Sequence, residues 1–178
     1  NKIIYIACAV GHLYTLKENK IKGLSYPVYD IDWKESYLVK KSAKFTQKYL
    51  EKIKELSKDV DKFIIACDLD QEGEVIGLNI IRFACNQKGA SRMKFSTLTK
   101  DELLEAYEKA SNHIDWGLAN AGETRHKLDW MYGINTSRAL TEAVKTTGSF
   151  KLLSSGRVQG PALNLIVERE KEIQEFKS

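Results

Sequence analysis

Phe63-Ile64-Ile65-Ala66-Cys67-Asp68-Leu69-Asp70-Gln71-Glu72-Gly73-Glu74-Val75-Ile76-Gly77 decides how this chain is read. Phe63 to Cys67 is a short, β-rich apolar run bounded by polar residues, which predicts a buried strand. It stops at three acids in alternation, Asp68, Asp70 and Glu72. Extended residues two apart point the same way, so these carboxylates leave the strand end on one side. Gly73 permits a sharp turn, and Val75, Ile76, Leu78, Asn79, Ile80, Ile81 and Phe83 then predict a mostly buried helix. The C-terminal edge of a parallel strand is where open α/β sheets place their ligands. Three crowded carboxylates repel unless a cation sits among them. Oxygen-only ligation favours a hard ion, Mg²⁺. An EF-hand calcium loop shares the first acids and the glycine, but its twelfth position falls on Asn79, where a bidentate Glu is needed. A solvated acidic turn with no metal also fits the spacing.

Composition sets wide bounds. At 178 residues with 43% hydrophobic content, one or two small domains with a core are expected. No apolar stretch is long enough to span a membrane, and the start, Lys2-Ile3-Ile4-Tyr5-Ile6-Ala7-Cys8, has no signal-peptide pattern. Cys8, Cys67 and Cys85 are odd in number and set among apolar residues, which predicts reduced core cysteines in a cytoplasmic protein. A net charge of +4 permits nucleic-acid binding without demanding it. The abrupt start without Met suggests a fragment.

Taken in order, Ile3 to Val10 predicts a strand, followed by Gly11-His12-Leu13, with His12 read as a structural histidine at a strand end. Tyr26 to Trp33 is extended. Ala43 to Leu56 is an amphipathic helix with Phe45, Tyr49, Ile53 and Leu56 on one stripe and lysines opposite. Arg92 to Ser96 is a short strand candidate. Thr99 with Glu102 forms a capping box for a helix carrying Leu103, Leu104, Ala106, Tyr107 and Ala110. Strands and helices alternate up to about Phe95, which argues α/β; beyond Thr99 the chain reads as helical. The boundary falls near Ser96, giving domains 1–96 and 97–178. In the second half, helices are expected over 112–132, ending at Gly133, over 135–144 with Gly148 after it, and in a last helix started by the block Ser154 to Pro161 and running through Ile173, with Pro161 in its first turn.

Between Asn120 and Gly160, Arg125, Lys127, Arg138, Lys145, Lys151 and Arg157 outnumber Glu123, Asp129 and Glu142. Ser154, Arg157 and Gln159 suit a phosphodiester: an Arg fork matches phosphate oxygens, Ser and Gln donate, and a helix N-terminus adds N–H groups. Surface Arg and Ser at a helix start are also ordinary.

Asp-x-Asp-x-Glu-Gly-Glu after an apolar strand resembles the acidic motif of the TOPRIM domain in type IA DNA topoisomerases, whose bacterial members usually carry a basic residue where Gln71 stands here. Ser154-Ser155-Gly156-Arg157-Val158-Gln159-Gly160-Pro161 with Val167-Glu168-Arg169-Glu170, and Ala121-Gly122-Glu123-Thr124-Arg125-His126-Lys127-Leu128-Asp129-Trp130 with Gly133 to Thr141, are similar to that family's helical signatures. Phe95-Ser96-Thr97-Leu98-Thr99 matches the link between them. The blocks run in the family's order over nearly the whole chain, in variants that look archaeal. The resemblance implies a TOPRIM-type, Rossmann-like parallel sheet lacking its first strand, followed by an all-helical DNA-binding region. It implies that Asp68, Asp70 and Glu72 hold Mg²⁺ at the cleavage site. It further implies that Arg125 and Asp129 border the DNA groove, and that Ser154, Arg157 and Gln159 contact the entering single strand.

The implied activity is transient cleavage, passage and resealing of single-stranded DNA, relaxing negative supercoils without ATP. The implied partners are single-stranded and negatively supercoiled DNA and the remaining domains of the same polypeptide, with no membrane. The implied location is the cytoplasm, at the nucleoid. The family's nucleophile, a tyrosine in a Tyr-x-Arg-Thr context, has no counterpart here, since no tyrosine has an Arg two residues on; the fragment alone is expected to be inactive. The competing classes are another TOPRIM enzyme, a primase or nuclease, and a non-catalytic single-strand-binding module.

Overall fold

The computed structural model describes residues 3–19, 23 and 25–176. Two compact units divide the chain. The first comprises 1–17 and 32–125, the second 18–31 and 126–178. This division differs from a boundary at residue 96, which stays a proposal.

In the first unit the acidic stretch lies between two parallel strands, β3 (Ile64–Ile65) and β4 (Ser91–Arg92), in register Ile64 with Ser91 and Ile65 with Arg92. The expected five-residue strands shrink to two paired residues each, although the Met93 N–H still donates to the Ile65 carbonyl at 2.9 Å. The crossover between the strands is helix α3 (Gln71–Asn79), which runs into a π-helical turn, Ile80–Ala84. Asn86 closes it at φ 54°, a left-handed conformation that Asn tolerates better than most residues. Ile65, Leu78, Ile81, Ala90, Ile114 and Ala119 form the core under this layer.

A second core in the same unit gathers Leu13, Tyr14, Leu50 and Ile53. Tyr14 lies on β1 (Tyr14–Glu18), which pairs with β2 (Ile31–Glu35); a one-turn helix α1 (Ser36–Val39) follows. Leu50 and Ile53 come from α2 (Thr46–Leu56), whose buried stripe is Thr46, Leu50 and Ile53. Phe45, expected on that stripe, is 56% exposed, because the helix starts one residue after it.

Residues 3–10 do not form the expected strand. They carry no regular secondary structure, with Ile3, Ile4, Tyr5 and Ile6 exposed, and no ladder partner among the described residues. Apolar content gives strand propensity, but a strand also needs a neighbour to satisfy its N–H and C=O groups. The cysteines are free, yet Cys8 is exposed and only Cys67 and Cys85 are partly buried. Burial pushes both of those thiols up.

Helix α4 (Lys100–Glu108) has Thr99 at its N-cap position as expected, but the capping box does not close. Glu102 instead accepts the Ser96 N–H at 2.6 Å and the Thr97 hydroxyl. Only Ala106 of the expected stripe is fully buried.

The second half is helical as expected, with one change: α5 (Trp116–Lys145) is a single 30-residue helix that passes through Gly133. The unit division falls inside it. Mid-helix glycine costs only about 1 kcal/mol relative to Ala, a local penalty too small to break a 30-residue helix. Gly148, at φ 81°, does follow the end of α5. In the second unit Arg138 is 7% exposed and forks onto Glu18 at 2.5 and 2.9 Å. It also donates to the Ser25 carbonyl at 2.8 Å, and Asn135 bonds both the N–H and the C=O of Val28. The last helix, α6 (Gln159–Glu175), carries Pro161 in its first turn.

Candidate functional site

The acidic loop runs from the end of β3 into the start of α3. Asp70 is the helix N-cap, with extended backbone at φ −145°, and its Oδ1 accepts the Gly73 N–H at 2.7 Å. The cap satisfies one of the helix's unpaired donors. Glu72 and Glu74 sit in the first turn, where the helix dipole favours negative charge. A Cβ on Gly73 would lie 2.2 Å from the Asp68 carbonyl oxygen, so the helix start can approach the strand end this closely only with glycine there. A Cβ on Gly122 of α5 would meet the Val75 side chain at 2.5 Å and the Gln71 carbonyl at 2.6 Å, so α5 packs tightly behind the same turn.

Asp68 and Asp70 are exposed and Glu72 is half-buried. Glu72 is engaged: its Oε2 lies 2.9 Å from His12 Nε2. The backbone of the His12 segment is tied to α1, where Ser36 donates its hydroxyl to the His12 carbonyl and its N–H to the Leu13 carbonyl, both at 2.9 Å. The three acids do not converge. Among the described residues a set of potential ligand atoms within 4.8 Å of one another includes His12 and Glu72, but neither Asp68 nor Asp70. Asp70 is drawn to its cap on the Gly73 N–H. The donor chemistry still fits a hard divalent ion: carboxylates at the strand end, with Asp70 keeping one oxygen beyond the cap.

Sequence reasoning missed the partners that hold this loop. His12 meets Glu72 across 60 residues, and Glu74 meets Arg92 across 18. The first had a signal in Gly11-His12-Leu13; the second had only the unassigned fourth acid of the motif.

The candidate nucleic-acid residues are distributed as follows. Arg125 is exposed on α5 in the first unit. In the second unit Ser154 is exposed on the segment between α5 and α6, and Gln159 opens α6. Arg157 and Asp129 pair, with Nε to Oδ1 at 2.5 Å and Nη2 to Oδ2 at 3.5 Å, and this bond raises the Arg157 pKa above its ordinary value. The basic excess is smaller at the surface than in sequence. Arg138 is buried against Glu18, and Lys145 reaches Glu142 at 3.4 Å. No helix among the described residues is long and apolar enough to cross a membrane.

Residues 1–98 match the Toprim domain family, and residues 113–178 match the DNA topoisomerase family. The chain is 50% identical over 177 residues to DNA topoisomerase 1 of Methanocaldococcus jannaschii, covering 98% of this chain and 23% of that protein. It is 47% identical over 178 residues to DNA topoisomerase 1 of Pyrococcus horikoshii, covering 98% and 26%. The solved full-length topoisomerase I of Thermotoga maritima is similar in fold, with a TM-score of 0.66, 30% identity, and coverage of 94% of this chain and 26% of that one. The chain thus spans about a quarter of the length of these relatives. Toprim domains bind divalent metal, and topoisomerases of this type act on DNA. With an acid-bearing loop at the end of a parallel strand, and a topoisomerase match running on through its helical half, this chain belongs to the Toprim domain family in the form carried by type IA DNA topoisomerases.

Proposed function

We propose that this chain supplies the metal-binding acids and part of the single-strand groove of an enzyme that cuts, passes and reseals single-stranded DNA, relaxing negative supercoils without ATP. The observation that carries this reading is the acidic loop: exposed Asp68 and Asp70 follow a parallel strand, on backbone packed against a glycine turn. Asp68, Asp70 and Glu72 would hold Mg²⁺, which when bound neutralises charge on phosphate oxygens. Asp70 also starts α3, so the ligand set and the helix are fixed together. Arg157 would meet a phosphate with its guanidinium, Ser154 and Gln159 would donate beside it, and Arg125 would add a cation along α5. Asp129 holds Arg157 in place. The nucleophilic tyrosine would come from outside these residues, and the enzyme would work in the cytoplasm at the nucleoid.

The test uses the full-length polypeptide that carries these residues. It should relax negatively supercoiled plasmid with Mg²⁺ and without ATP, while the 178-residue chain alone should neither relax DNA nor become covalently linked to it. A DNA-linked band from the chain alone on a denaturing gel would contradict a nucleophile supplied from elsewhere. Absence of relaxation by the full-length polypeptide would contradict the activity.

A further inference from the structure

Behind the acidic loop two opposite charges are completely buried. Glu74 and Arg92 each have no exposed side-chain surface, and Arg92 Nε donates to Glu74 Oε2 at 2.7 Å. The rest of the guanidinium is spent on backbone. Nη1 donates to the carbonyls of Cys67 at 2.8 Å and Met93 at 2.6 Å, and Nη2 donates to the carbonyl of Asp68 at 2.7 Å. The other oxygen of Glu74 accepts the Asp115 N–H at 2.9 Å. One planar fork therefore ties the loop that follows β3, the residue after β4 and the first turn of α3.

A buried ion pair is weak evidence for stability, because desolvating both charges offsets most of their attraction. What this pair holds is more informative. Two of its bonds fall on Cys67 and Asp68, the residue before the first acid and that acid itself. The Asp68 carbonyl that Arg92 grips is also the atom a side chain at position 73 would strike. The backbone of Asp68 is thus fixed from both sides, while its carboxylate remains exposed.

We propose that Arg92, oriented by Glu74, is a positioning residue for the divalent-ion site: it sets where the Asp68 carboxylate is presented without touching the ion. The proposal rests on the reading of Asp68, Asp70 and Glu72 as the metal ligands. Arginine is required because lysine carries the charge but cannot fork to a carboxylate and separate carbonyls together. Glu74 has a second role: it cancels a positive charge that would otherwise oppose a cation at the loop.

Calorimetric titration of Mg²⁺ into the full-length polypeptide and its R92K variant tests this, with circular dichroism to verify folding. Losing an outer partner of a metal site typically costs 10- to 100-fold in affinity. R92K should therefore bind Mg²⁺ at least about tenfold more weakly while staying folded. Ile114→Val, a buried change with no bond to the loop, should leave Mg²⁺ affinity unchanged and serves as the stability control. An unchanged Mg²⁺ affinity in folded R92K overturns the proposal, whatever its melting temperature. If R92K does not fold, E74Q carries the same comparison: its shape is retained but the charge that balances Arg92 is gone, and Mg²⁺ affinity should fall. Unchanged affinity in E74Q would then overturn the proposal. If the unaltered protein binds no Mg²⁺, the metal reading itself fails, an outcome distinct from wild-type binding that R92K leaves intact.

Discussion

Asp70 accepts the Gly73 N–H through Oδ1 while standing in the middle of the acid alternation. It is a helix cap and a candidate ligand at once, and two substitutions separate the roles. Asn caps as well as Asp, so Asp70→Asn should keep thermal stability within about 1 kcal/mol in the absence of metal, losing only the charge's interaction with the helix dipole. Asp70→Ala removes the cap and should cost about 0.5–2 kcal/mol. Chemical denaturation without divalent ions checks both, and equal losses would deny the cap. Arg157 is the comparable residue in the second unit. Asp129 occupies its Nε and Nη2 side, so a phosphate must meet the Nη1 edge or displace the carboxylate. For a single strand each neutralised phosphate adds roughly 0.7 to the slope of log affinity against log salt. Arg157→Ala should weaken single-strand binding and flatten that slope by about 0.7. An unchanged slope would leave Arg157 a structural partner of Asp129.

Among elements, the turn from β3 into α3 depends on close approach. Gly73→Ala would push a methyl into the Asp68 backbone and Gly122→Ala into Val75 and the Gln71 backbone. Each should destabilise by about 1–3 kcal/mol or more, because the obstructing atoms include backbone that cannot rotate away. Thermal melts of the two single variants measure it. Packing of α2 on β2 gives a pH effect. Burial works to raise the Glu35 pKa, but bonds from Lys54 and Tyr37 outweigh it and hold the carboxyl below its ordinary value of 4.5. A depressed carboxylate contributes stability that is present above the unfolded pKa and lost as pH falls through the folded one. Stability should therefore drop below about pH 4.5, and Lys54→Met should reduce that dependence by no more than about 1 kcal/mol, since Lys54 is partly solvated. A Lys54→Met protein with an unaltered acid limb would remove Glu35 from the account. Much of this architecture was legible. The apolar run gives a strand and a helix follows the acids as local pattern predicts, except that the strand pairs over only two residues and α3 begins at Gln71, taking in Gly73, because Asp70 caps it. The continuity of α5 through Gly133 was not legible, because a small local penalty gives way to packing along a long helix. Nor was the Arg92–Glu74 pair, since both residue types are expected at the surface and only the fold brings them together.

At the scale of the whole molecule, the chain carries two small cores in its first unit and a helical second unit, and it matches about a quarter of its relatives' length. The central claim concerns the loop where the fold and the proposed chemistry meet. Thermal unfolding of the chain and of Asp70→Asn across a Mg²⁺ series, at fixed ionic strength, tests it most directly. An ion that binds only the folded state stabilises by RT ln(1 + [L]/Kd), about 1.4 kcal/mol at ten times the dissociation constant. The unaltered chain should gain stability with Mg²⁺ along that curve, while Asp70→Asn, still capped, should gain almost none. Equal gains in both proteins would show that the acids are not the metal site and that the loop is a solvated turn.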